Sequence, residues 1–311
     1  MRSGKRGIGV VEYWSNGKTG PLKKETIVKS LPRRIEKIIE PQAVVEGAGV
    51  RLKRSIGTQT LDYLDPFLLL DHFASTDRRD YEAGFPLHPH RGIETVTYVL
   101  SGVVHHKDTL GNSGSIGSGD VQWMTAGRGI MHEEMPQVRP EGIAGFQLWV
   151  NLPTNLKMTA PRYQNILAAE IPEIKRDNGI RIRVITGEVD GTEGPVSGIA
   201  ANPTYMDVSV PPHSKFTHAI ASGNTAFAYL FQGEAKFSDG GAEKVLIRSP
   251  QLVVWGEGDF VDIATDESPA RFLLVSGKPL HEAVARYGPF VMNTREEIEE
   301  ALRDLRQGTF V

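Results

Sequence analysis

Residues 84–102 read GFPLHPHRGIETVTYVLSG, and residues 119–135 read GDVQWMTAGRGIMHEEM. His88 and His90 flank Pro89 in the first stretch, while His132 and Glu134 flank Glu133 in the second. Successive side chains of an extended strand point to opposite faces, so residues two apart share one. Each pair therefore aims two donor groups at one point. Three neutral imidazoles and a carboxylate form a ligand set suited to Fe(II), Mn(II), Ni(II) or Zn(II) and unsuited to Ca(II), which takes oxygen ligands. Four such ligands leave two positions open on an octahedral ion. A single histidine on a strand is ordinarily a satisfied or solvent-facing side chain. Two same-face pairs, each bounded by glycine turns (Gly84 and Gly92; Gly127 and Gly129), make a metal site the better reading.

Around these stretches the chain reads as β-structure. Thr95 to Leu100 is rich in β-branched and aromatic residues, and Ser101-Gly102 turns it into a second strand ending at Asp108. Val44 to Ile56 alternates as one half-buried strand, and Leu64 to Asp71 reads as a short buried one. Gly111 to Gly119 reads as a loop, Asp77 to Tyr81 as a surface loop, and Pro153 to Pro172 as a linker between domains. Many short strands separated by glycine turns indicate a sandwich or barrel. Trp123 and Met124 are assigned to the core. His72, His105, His106 and His281 lack a partner at spacing two and are assigned structural or exposed roles.

The two halves of the chain repeat. Tyr98 to Gly102 (YVLSG) aligns with Tyr229 to Gly233 (YLFQG), and the same offset of 131 places Val121 to Met124 on Leu252 to Trp255. At that offset the candidate ligands fall on Ala219, Ala221, Ile263 and Thr265, so the second barrel is expected to bind no metal. His213 and His218 lie nearby but on opposite faces of an extended strand. Near the C-terminus the period changes: Thr294 and Glu297 form a capping box, and Ile298, Ala301, Leu302 and Leu305 fall on one face of an amphipathic helix.

At 311 residues, two domains are expected. The chain has no cysteine, which excludes disulfides and thiolate metal sites and agrees with a cytoplasmic location. It has no apolar run long enough to span a membrane and no apolar signal segment near Met1, which points the same way. The net charge of −3 hides an asymmetry, because residues 1–37 carry ten Lys or Arg against three Glu. Glycine, serine and proline interrupt that arm, so a solvated extension is a better reading than a nucleic-acid contact.

HPHRGIET (88–95), the 119–135 stretch, FQLWVNLP (146–153) and YGPFVMNTREEI (287–298) together resemble the pirin family of the cupin superfamily. The likeness runs from about Val44 to Leu305. It implies an all-β bicupin of two tandem antiparallel barrels with a C-terminal helix. The expected division is an extension over 1–43, a metal-binding barrel over 44–165, a barrel without metal ligands over 166–290, and helix and tail over 291–311. By the resemblance, His88, His90, His132 and Glu134 hold the metal, with Fe(II) foremost and Mn, Ni, Co, Cu or Zn as alternatives. Other cupins take their carboxylate from the position of Glu94, which pirins do not use, so Glu94 is expected either to support the ligands from behind or to be structural. The implied activity is that of a quercetin 2,3-dioxygenase acting on a flavonol-like molecule and O2, with Glu134 as candidate base. The alternative is an iron-dependent redox regulator that acts through a protein partner.

Overall fold

The computed structural model describes residues 30–311 apart from Ala242. Its strands form two antiparallel barrels, each a pair of facing sheets. In the first barrel a seven-stranded sheet runs, in spatial order, Arg162–Ile166, Val121–Thr125, Ile93–Ser101, Ile143–Asn151, Phe67–Ser75, Val50–Ile56 and Gln42–Glu46. Opposite it stand Phe85–His90, Ile130–Pro136, Val104–Asp108 and Ser113–Ile116. The second barrel is built on Thr225–Ser238, a 14-residue strand that serves both of its faces, whereas Gly102 breaks the corresponding stretch of the first barrel into two strands.

The repeat seen in the sequence is a repeat of pairing. Tyr98 stands opposite Val121, and Tyr229 stands opposite Leu252, at the same offset. Trp123, Phe146 and Tyr98 from the first barrel interleave with Tyr205, Phe227 and Tyr229 from the second, all buried, so the two broad sheets share one apolar layer. Met124 is buried at one end of the first barrel with Ile93 and Ile130. Both Trp123 and Met124 are thus core residues.

Four expectations change. Val44 to Ile56 is a hairpin rather than one strand, because Gly47 and Gly49 take positive φ and reverse the chain. The 111–119 segment contains the strand Ser113–Ile116, and the 153–172 segment contains Arg162–Ile166, which pairs with Val121–Thr125 and extends the first barrel's sheet. The largest change is at the start of the described chain. Ile35–Ile39, expected to lie in an extension, is an edge strand of the second barrel on Gln251–Trp255. Arg33 is buried there and donates to the carbonyls of Gly258, Asn224 and Ala221. Residues 1–29, which carry most of the basic arm, lie outside the described residues.

Residues 285–311 also depart from the expected division. The hairpin Ala285–Tyr287/Phe290–Met292 and the helix α1 (Arg295–Gln307) pack on the first barrel: Val291 is buried with Leu69, Ile93 and Trp149. The capping box forms as read, with Thr294 Oγ1 accepting from the Glu297 amide, and Gly308 closes the helix at φ 72°. No helix among the described residues is long and apolar enough to cross a membrane.

Ile39 is 5 % exposed and belongs to the layer between the barrels. Ile39→Ala should therefore cost ~2–4 kcal/mol in a denaturant titration, the range for deleting a buried aliphatic side chain. An unchanged midpoint would return this strand to the status of a dispensable arm.

Candidate metal centre

Phe85–His90 and Ile130–Pro136 are neighbours in the four-stranded sheet, and His88 lies directly opposite His132. The even spacing then brings in His90 from the same side. The ring centroids of His88 and His132 are 4.5 Å apart, those of His90 and His132 5.1 Å, and those of His88 and His90 4.8 Å. One nitrogen from each ring lies within 4.8 Å of the others, the one such group of histidine and acidic side chains among the described residues. His90 and His132 are buried, while His88 is half-buried.

These rings fit a transition-metal ion. Nδ1 of His90 and both ring nitrogens of His132 are buried without a hydrogen-bond partner, a state that costs free energy unless something coordinates them. Burial lowers the pKa of His132 to about 4 and that of His90 well below its usual value. Both rings are therefore in the neutral, ligating form at pH 7.

Glu134 is buried beside the three rings but outside their 4.8 Å group. Its Oε1 accepts from Thr97 Oγ1 at 2.9 Å and its Oε2 from Gln147 Nε2 at 2.8 Å. Burial raises its pKa, yet the proximity of His132 and His88 and these two hydrogen bonds outweigh burial and hold it below the ordinary carboxylate value. Each oxygen keeps a free lone pair. Glu94 faces elsewhere: it is buried and accepts from Thr125 Oγ1 at 2.7 Å, and burial raises its pKa.

Sequence reasoning passed over the rest of this interior. His106 is buried and pairs with Glu134 across the ladder, and Asp108 stands opposite His132. His105 and His106 face opposite ways, and His105 is exposed. The alternation Val104, His106, Asp108 against His105, Lys107 carries this in the sequence. Tyr163, from the supposed linker, stacks obliquely 5.7 Å from His106. A narrow pocket of about 30 Å³ opens beside Glu134 between apolar walls that include Val50, Phe73, Tyr81 and Phe85.

In the second barrel the ladder sets Ile263 opposite Phe216 and Val261 opposite His218. Ala219 pairs instead with Phe260, so Phe216, not Ala219, takes the place across from Ile263 that His88 has across from His132, and the gap-free offset slips by three residues in this strand. The interior there is filled by Phe216, Phe237, Trp255 and Phe272.

Two stacked barrels, one lined with converging imidazoles and the other packed with aromatic rings, define a bicupin with a single candidate metal centre among the described residues. Residues 49–150 match the family model described as Pirin, and residues 205–311 match the Pirin C-terminal cupin domain. A pirin-like protein of Caulobacter vibrioides is 42% identical over 89% of this chain and 99% of its own length. A Pseudomonas aeruginosa relative, provisionally named as a quercetin 2,3-dioxygenase, is 42% identical over 85% of this chain and 93% of its own. A solved quercetin 2,3-dioxygenase from Acinetobacter baumannii superposes with a TM-score of 0.80 at 34% identity, covering 90% of this chain and 98% of that one. The chain belongs to the pirin family.

The buried neutral rings make the metal-free protein sensitive to acid. In the unfolded chain a histidine titrates near ~6.5, above the folded value of about 4 for His132. The unfolded state therefore binds more protons in this window, so stability is full above the unfolded pKa and is lost as pH falls toward the folded one. Chelator-treated protein should show a falling denaturant midpoint between about pH 6.5 and 5. A flat profile there would mean that the rings are not buried and neutral.

Proposed function

We propose that this pirin is an iron-dependent dioxygenase that opens the C ring of a flavonol, adding both atoms of O2 and releasing carbon monoxide. The observation that carries this reading is the set of three converging imidazoles, two of them buried with unpartnered nitrogens, beside a hydrogen-bonded carboxylate. The names of the Pseudomonas and Acinetobacter relatives support the choice of reaction. His88, His90, His132 and Glu134 would hold the ion. Nitrogen and carboxylate ligation with open positions suits Fe(II). When bound, such an ion supplies Lewis acidity toward a hydroxyl oxygen and redox exchange with dioxygen.

The chain's own groups do the rest. Glu134 accepts the proton of the flavonol 3-hydroxyl, and its depressed pKa keeps it ionised and ready to do so. Thr97 and Gln147 hold the carboxylate in one orientation, so no rotamer search precedes the transfer. The apolar pocket walls exclude water from the reacting face. At about 30 Å³ the pocket has room for a small molecule such as dioxygen but not for a flavonol. The flat substrate therefore requires the half-buried rings of Phe73 and Phe85, which line the pocket, to move aside.

Metal analysis and an aerobic assay with quercetin test this. One metal ion per chain is expected, together with carbon monoxide release, and His88→Ala, His90→Ala or His132→Ala should remove most of the metal while the fold persists. Glu134→Gln should keep part of the metal and lower turnover by about a hundredfold or more, the scale of a lost general base. Metal content unchanged in all three histidine variants would remove the centre from these residues. A fully loaded protein inert toward flavonols would leave the metal and remove the substrate.

A further inference from the structure

The C-terminal tail touches the centre from two sides. On one side is the turn His90-Arg91-Gly92. Arg91 is 3% exposed, and its guanidinium donates to Asp304 Oδ2 of α1 at 2.7 Å and to the Phe310 carbonyl at 3.2 Å. It also lies 4.4 Å over the Phe310 ring. The Arg91 backbone bonds the tail hairpin, with Val291 N donating to Arg91 O at 3.1 Å. Lys157 ties the same turn, its buried Nζ donating to Gly92 O at 2.9 Å, Val291 O at 2.8 Å and Asn151 Oδ1 at 2.6 Å. The motif glycines make this approach possible. A Cβ on Gly92 would overlap the Val291 carbonyl, and one on Gly129 would overlap that of Phe310.

On the other side the contact runs to Glu134. Arg286 of the hairpin lies 5.2 Å over the Trp149 ring and donates to Leu68 O at 3.2 Å. Trp149 Nε1 donates to Gln147 Oε1 at 3.1 Å, and Gln147 in turn donates to Glu134. The Trp149 ring also meets His90 edge-on, with centroids 5.1 Å apart.

We infer that residues 285–311 are the positioning device of the metal centre: Arg91, clamped by Asp304 and Phe310, sets the place of His90, and Arg286, through Trp149 and Gln147, sets that of Glu134. This rests on the metal-centre reading above. A buried guanidinium is held by its partners because it is costly to leave unpaired, so the clamp has one favoured geometry. His90, one bond away along the backbone, inherits it. Partners behind the ligands of a metal site fix ligand orientation and are worth about 10–100-fold in affinity.

The test titrates the full-length, metal-free chain with Ni(II) by chelator competition and records the visible spectrum of the Co(II)-loaded protein, whose bands report ligand geometry. Asp304→Asn, a change at a partly exposed helix position, should weaken Ni(II) binding about tenfold and move the Co(II) bands. Asp304→Glu, which restores the charge, should recover most of the affinity. Trp149→Phe keeps the ring and removes the donor to Gln147, and should likewise move the bands. Phe216→Leu destabilises the second barrel's core and serves as control: it should lower the melting temperature and leave affinity and spectrum as in the wild type. An Asp304→Asn protein with wild-type Ni(II) affinity and an unchanged Co(II) spectrum would overturn the inference. A wild-type chain that takes up no Ni(II) would overturn the metal centre itself and this inference with it.

Discussion

Burying imidazoles without hydrogen-bond partners is the constraint on which the first barrel depends. His90 and His132 are drawn from water into a sheet interior where three of their ring nitrogens meet no donor or acceptor. Each such atom costs on the order of 1–3 kcal/mol. Protonation would add a buried charge to that cost, so the rings stay neutral, and neutral imidazole is the form that ligates. A bound transition metal would offset part of that cost, because one nitrogen of each ring can coordinate it. The cross-strand pairing of His88 with His132 places the donors before any ion arrives, and Thr97 and Gln147 do the same for Glu134.

The second barrel shows what the same backbone becomes without that constraint. Its ladders repeat those of the first, yet Phe216, in the place that His88 has in the first barrel, meets Phe272 edge-on at 5.5 Å. The second barrel offers the first a broad apolar face on which to pack. Its edge is covered by Ile35–Ile39, and the chain then crosses to begin the first barrel. The far end of the chain returns to the first barrel through Val291 and α1. The two barrels are thus bound by their shared layer and by both ends of the described chain, and the cluster of His88, His90 and His132 lies in the first of them.

Strand periodicity and glycine turns made the barrels and their repeat legible in the sequence, and the spacing of His88, His90 and His132 made the centre legible. Both signals are local: alternation assigns faces along one strand, and a pair at spacing two needs no partner strand to be recognised. The features that were missed depend on pairing across distance. Nothing near Ile35–Ile39 says that it will join a sheet whose next strand begins at Gln251. Nothing near Arg91 says that Asp304 will reach it. His106 lies between the two cases, because its alternation was readable but its inward face became meaningful only once Glu134 stood across from it. The repeat offset held for Ile93–Ser101 and Val121–Thr125 and slipped where Phe216 replaced Ala219 opposite Ile263, since a change in turn length shifts register without disturbing the hydrophobic pattern.

The central claim is that one metal ion sits among His88, His90, His132 and Glu134, and anomalous diffraction at the metal's absorption edge from a crystal of loaded protein tests it most directly. The expected result is one strong peak per chain within coordinating distance of a nitrogen from each of the three histidines and of a Glu134 carboxylate oxygen. A peak lying elsewhere, in the second barrel or on the surface, or a loaded crystal with none at these residues, would contradict it.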